Sequence, residues 1–314
     1  MPSMKLLQIA GLAVVLSSIS IAKSTAQPAS NLNLQFPKEL SVGRLILLKP
    51  DWAGHSQSAT GTPLSVARGS VKILANQSIM LVSNDCISEH MTLLSSFPAN
   101  ALACLVLSST SIADKDLAYV SHLTGLKRLE LEDTDITDAG LMHLSKLGKL
   151  EYLCLTSTLI KGNTLGYLSA AHLSNLHLDN VALEPRAFHE ISKFKELRWL
   201  TLDRVHLNDA GLTELAQLPK LERLMIANNH DLTDVGLRKL AGMKQLRRLD
   251  LANSAVTLRG LLALRGISLK WLKLSARFKS DQNTAQLQQA FPRAEIEFDS
   301  DRQRLPSEMF APLH

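Results

Sequence analysis

The stretch Leu126-Lys-Arg-Leu129-Glu-Leu131-Glu-Asp-Thr134-Asp-Ile136-Thr-Asp138-Ala-Gly-Leu141 decides the architecture of this chain. Leu129 and Leu131 alternate with polar residues, which is the period of a short strand with one buried face. Thr134 and Ile136 then turn the chain, and Thr137 or Asp138 is placed to accept the free N–H groups that open a helical turn. Leu141, Leu144 and Leu147 follow at helical spacing and close the far side of the same core. The unit therefore reads strand, turn, helix and return. Alone, it cannot cover its own leucines.

The opening phrase, Leu-x-x-Leu-x-Leu, recurs with first leucines at Leu102, Leu126, Leu150, Leu173, Leu197, Leu221, Leu246 and Leu269, in steps of 24, 24, 23, 24, 24, 25 and 23 residues. Self-similarity at a fixed period in this range is the mark of a leucine-rich-repeat solenoid. The expected fold is an α/β horseshoe with parallel strands on the concave side and short helices on the convex side. It spans residues 77–280 in about eight to nine repeats, with both ends capped.

Three segments, Asp135-Ile-Thr-Asp-Ala-Gly-Leu141, Asn208-Asp-Ala-Gly-Leu212 and Leu232-Thr-Asp-Val-Gly-Leu237, closely resemble the "ITDAGL" units of bacterial secreted leucine-rich-repeat proteins. They are also similar to ribonuclease-inhibitor-like and F-box-associated repeats. The resemblance covers roughly residues 71 to 298 and implies the fold; it carries no catalytic residues. Lys161-Gly-Asn-Thr-Leu165 and Glu184-Pro-Arg-Ala-Phe188 lack the Thr-Asp pair, so looser or differently shaped convex turns are expected there.

Residues 1–26 read as a signal peptide: Lys5, an apolar run from Leu6 to Ala22, then Ser24-Thr25-Ala26 before Gln27. The alternative is an uncleaved membrane anchor, for which the run is borderline in length. Either way an extracytoplasmic protein is expected, secreted or periplasmic, with a membrane contact only if the leader stays on. Residues 27–76 do not follow the repeat and read as an N-terminal cap. Strands are expected at Val42–Leu48 and Val71–Leu74, with a loop over 54–62. A degenerate first unit follows, with Met80 and Val82 on its strand and Met91 and Leu94 on its helix. Residues 281–314 read as a C-terminal cap and tail, with a helix from Asp281 to Ala290 and a last strand at Glu295–Phe298.

The formal charge of +5 falls to +3 on loss of Lys5 and Lys23. That balance is too mild to argue for a nucleic-acid partner. Cys86, Cys104 and Cys154 have no metal-type spacing. Cys104 and Cys154 lie two strands apart, roughly 10 Å, and should stay unbridged. The histidines are scattered, no glycine-rich phosphate loop exists, and no metal or cofactor is expected. Gly140, Gly211 and Gly236 recur where the convex helix begins, an architectural role.

On the concave wall, equivalent positions form columns. The residue before the second leucine gives Cys104, Arg128, Tyr152, Asn175, Trp199, Arg223, Arg248 and Trp271. Arg, Tyr and Trp dominate binding hot spots, so Arg128, Tyr152, Trp199, Arg223, Arg248 and Trp271 are the candidate partner-binding residues. The competing reading is packing along the sheet, with an arginine stacked on its neighbour. The next columns are mixed (Val106, Glu130, Cys154, His177, Thr201, Met225, Asp250, Lys273) and small or acidic (Ser108, Glu132, Thr156, Asp179, Asp203, Ala227, Ala252, Ser275).

Between Arg238 and Lys279 eleven Lys and Arg residues face only Asp250. Arg247, Arg248, Lys270 and Lys273 are expected inward. Arg247, Lys270 and Lys273 are the alternative anion-binding candidates, and a solvated face is the bland reading. An enzyme is not expected: His177 with Asp179 or Asp203, and Cys154 beside His177, are the nearest approaches to a catalytic pair, with no motif around them. The sequence therefore points to a non-enzymatic binding module for a protein or peptide on the concave face. The alternatives are capture of an anionic cell-surface polymer, such as a polysaccharide, and a purely structural envelope role.

Overall fold

The computed structural model describes residues 30–50, 52–54 and 61–299. The leader read over residues 1–26, the middle of the loop read over 54–62, and the tail after Asp299 lie outside the described residues.

Five strands precede the clear repeats: β1 (Leu32–Gln35), β2 (Gly43–Leu48), β3 (Gly61–Val66), β4 (Ser70–Ile73) and β5 (Ile79–Ser83). The repeats add β6 (Cys104–Val106), β7 (Arg128–Glu130), β8 (Tyr152–Cys154), β9 (Asn175–His177), β10 (Trp199–Thr201), β11 (Arg223–Met225), β12 (Arg248–Asp250) and β13 (Trp271–Ser275), and β14 (Glu295–Asp299) ends the series. From β5 to β14 every neighbour pairs in parallel. β2 runs antiparallel to β5, and β3 antiparallel to β2, so the ladder begins with a hairpin whose inner strand alone is reversed. β1 and β4 form a separate antiparallel pair. The architecture is an α/β leucine-rich-repeat solenoid. Its leucines, from Leu102 to Leu274, form one continuous core into which Leu34, Val42, Leu45 and Ile73 pack at one end and Leu287 and Phe291 at the other.

Each repeat strand stops because the chain next enters the left-handed region. Ser109, Asp133, Ser157, Asn180, Arg204, Asn228 and Asn253 all have φ between 54 and 57°. Asn and Asp tolerate that region best, and they or serine fill six of these seven positions. The turn is closed by a hydroxyl donating to the carbonyl three residues back: Thr110 to Leu107, Thr134 to Leu131, Thr158 to Leu155 and Ser254 to Leu251, at 2.6–2.7 Å.

The capping position and the position after it, where aspartate recurs, divide the labour differently from a simple cap. The threonine serves its own turn: the Thr233 and Thr257 hydroxyls accept from the N–H groups of Val235 and Gly260. The aspartate instead reaches into the next repeat. Asp114 accepts the N–H and hydroxyl of Thr137 at 2.8 and 2.6 Å, Asp209 those of Thr233 at 2.8 and 2.6 Å, and Asp234 those of Thr257 at 2.7 and 2.6 Å. Glycine is required at 140, 236 and 260 because a Cβ there would fall on the carboxylates of Asp114, Asp209 and Asp234.

The convex side is tighter than helical spacing suggests. The early repeats carry 3-10 turns at Asp114–Tyr119, Gly140–Leu144 and Leu165–Ala170. The later ones have α1 (Pro185–Ile191), α2 (Asp209–Leu215), α3 (Asp234–Leu237), which a 3-10 turn over Arg238–Gly242 extends, and α4 (Leu258–Leu262), and α5 (Asp281–Ala290) closes the coil. The Lys161 and Glu184 units differ from each other. The Lys161 unit bends at Gly162, φ 82°. The Glu184 unit makes a regular helix because Pro185 occupies its first position, where a missing N–H costs nothing. Among the described residues no helix is long and apolar enough to cross a membrane.

Candidate functional site

The register aligns the candidate column as one row of side chains across the sheet, from Cys104 through Arg128, Tyr152, Asn175, Trp199, Arg223 and Arg248 to Trp271. The side chains stack. The Arg128 guanidinium lies 3.5 Å over the Tyr152 ring. Tyr152 meets His177 at 4.8 Å between centroids, and His177 meets Trp199 edge-on at 4.9 Å. Arg223 sits 5.1 Å from the Trp199 ring centre and Arg248 5.2 Å from that of Trp271. Such cation–π and edge-to-face contacts fix large side chains in place before any ligand arrives.

Sequence reasoning offers this whole row to solvent, and the structure divides it. Arg128 is 5% exposed and Tyr152 2%, while Trp199, Arg223, Arg248 and Trp271 are half-buried. The N-terminal hairpin accounts for part of the closure. Ile46, Leu48 and Trp52 cover Met80 and Cys104, and at Gly54 the chain passes so close to Lys127 and Glu151 that a Cβ would collide with them. Arg128 is further tied to Glu130 at 2.5 Å. Arg128 and Tyr152 thus form the packed base of the row, and its accessible part belongs to β10–β13.

His177, read from sequence only as a possible acid–base group, is the keystone of the stack. It lies diagonal to Tyr152, across the strand from Cys154. No spacing rule flags that diagonal. Its ring Nδ1 is 3.2 Å from the Thr201 hydroxyl, which donates to Asp179 Oδ2 at 2.6 Å, so Thr201 stands between the imidazole and the carboxylate. Burial, followed by the Arg128 charge, drops the His177 pKa to about 3. Burial raises the Cys154 thiol to about 12. A nucleophilic cysteine needs a thiolate beside a base able to take its proton, and this pair is shifted the opposite way in both members. Burial also lifts Asp179 to about 7 against two opposing donors, Thr201 and the Asp203 N–H, and Asp250 to about 7 against the charge of Lys273.

The alternative anion-binding residues do not converge on the concave wall. Lys273 does face inward, but it is nearly buried between Asp250 at 3.8 Å and Asp299 at 3.4 Å and is neutralised there. Arg247 and Lys270 precede their strands and leave the wall: Arg247 Nη1 donates to the carbonyls of Lys244 and Leu246, toward the return loop. Lys270 is exposed on that same loop side. Cys104 and Cys154 are buried free thiols, as their separation predicts, and Cys86 is an exposed one. Among the described residues no cluster of His, Cys, Asp or Glu could hold a metal ion.

The leucine-rich-repeat family model matches residues 122–145 and 217–241. Together with the strand ladder, these matches support a leucine-rich-repeat protein. No curated protein matches the chain. Solved structures with a similar fold include an internalin, inlF, from Listeria monocytogenes, 16% identical over 72% of this chain and 82% of that one, with a TM-score of 0.47. Another is a leucine-rich-repeat protein of Leptospira interrogans, 18% identical over 66% and 62%, with a TM-score of 0.42.

Proposed function

We propose that the chain is a non-enzymatic binding module that takes a protein or peptide partner on its concave face, with Trp199, Arg223, Arg248 and Trp271 as the contact row. The fold is one that commonly mediates protein–protein binding. The observation that carries the reading is the half-buried state of four consecutive large side chains in one register row. Each guanidinium is steadied by an indole, so little rotamer freedom is left to lose on contact. Arg128 and Tyr152 support the row from below. A leader at residues 1–26 would place this surface outside the cytoplasm.

The test compares the full chain with Trp199→Ala/Trp271→Ala in capture from envelope and extracellular extract. Trp199 Nε1 has no hydrogen-bond partner among the described residues, so truncation there removes ring contacts with His177 and Arg223, and at Trp271 it also removes the bond to Glu297 at 3.3 Å. The expected result is a protein retained by the parent and lost by the variant, with the melting temperature lowered only modestly. Retention by both, or a variant that chiefly loses stability, sinks the proposal and leaves the row as packing.

A further inference from the structure

Charge is divided between the two rims of the coil. The loops that lead from each convex helix into β7–β14 hold Lys127, Lys146, Lys149, Lys193, Lys195, Arg198, Lys220, Lys244, Arg247, Arg265, Lys270 and Arg293, twelve cations against Glu151, Glu196 and Glu222. That rim carries nine net positive charges, more than the +5 of the entire chain. The loops that leave β6–β12 on the opposite rim hold eight carboxylates against Lys161 and Arg204, a net of minus six. Charge serving solubility alone has no reason to separate this way.

We propose that the basic rim is a docking strip for a linear acidic polysaccharide, one bearing uronate or sulfate groups along a hydroxyl-rich chain. Strands recur about every 4.8 Å, so cations step along the rim at a spacing a stiff polymer can follow. Midway lies a cleft of ≈ 470 Å³, where Lys149, Arg198 and His172 stand among Glu151, Glu196 and Ser174. Glu151 and Glu196 are paired with Lys127 at 3.4 Å and Lys220 at 2.7 Å, and their remaining lone pairs can accept from hydroxyls, which a sugar supplies and a phosphodiester backbone does not. The rim loops also expose no Phe, Tyr or Trp on which single-stranded bases could stack, since Phe194 and Phe291 are buried. This surface is separate from the concave row and stands or falls without it.

The test measures binding of the full chain to polygalacturonate, with single-stranded DNA of matched charge as the comparison. Lys149, Lys195, Lys244 and Lys270 are all exposed, so replacing the four with serine leaves the core untouched. The expected result is a roughly tenfold or greater loss of polygalacturonate affinity in this variant, steep weakening with salt, and no loss in Lys161→Ser/Arg204→Ser on the other rim. Weaker binding to DNA than to polygalacturonate is expected throughout. Equal binding by the two variants, no binding by the parent chain, or DNA bound as tightly as polygalacturonate each overturns the proposal.

Discussion

Gly260→Ala tests whether the Asp-to-Thr bridges couple neighbouring repeats. Gly260 lies inside α4, where alanine should gain about 1 kcal/mol over glycine on helix propensity. Its Cβ, however, would fall on the Asp234 carboxylate. That carboxylate must swing away, surrendering the bonds from the Thr257 N–H and hydroxyl at 2.7 and 2.6 Å. Two bonds to a charged, partly exposed acceptor together stabilise by about 1.5–3 kcal/mol. Gly260→Ala in the parent should therefore be destabilising by about 0.5–2 kcal/mol. Asp234→Ala removes the bridge and the obstacle together, and in that background the same substitution should become neutral or stabilising by up to about 1 kcal/mol. Urea unfolding of the parent, both single variants and the double variant closes the cycle. Additive effects, with Gly260→Ala equally costly in both backgrounds, would refute the coupling.

Two further outcomes follow from burial. Asp179 and Asp250 ionise near 4 when unfolded but hold their protons to about 7 when folded. The native state then binds more protons across that window, so their contribution to stability is full at low pH and falls as pH rises from about 4 to about 7. The stability of the parent relative to Asp179→Asn should decline over that range in denaturant titrations, and a rising difference would contradict the burial argument. For the thiols, Cys86 should react with a thiol reagent in the native protein, while Cys104 and Cys154 should react only after unfolding. Prompt labelling of more than one site would show the inner wall to be open.

The period alone made the ladder legible, because Leu102 through Leu269 each mark a strand whose partners follow by stacking. The rows were legible for the same reason: a constant offset within each repeat becomes a straight line across the sheet. The covered base of the row was not. Ile46 and Trp52 reach Met80 and Cys104 from outside the repeating segment, and such pairing leaves no periodic trace. The diagonal from Tyr152 to His177 also escaped, since columns report direct neighbours only. Arg247 and Lys270 face inward only if the strand's alternation runs one residue before the strand begins, and it does not. The glycines were recognised as architectural, but the carboxylates that make them necessary sit a full repeat upstream.

The hairpin that begins the ladder also governs what copies of this protein can do to one another. A stack of parallel strands ends in two complementary edges, so such a protein courts head-to-tail growth into fibres. Here the first edge belongs to β3, which lies beyond the one reversed strand, β2, and carries Pro63, a residue with no N–H to offer. A second molecule arriving by its β14 edge meets Pro63 there, where the ladder has a donor missing. Open-ended growth needs both ends to be competent, so one proline on the outer strand works against it.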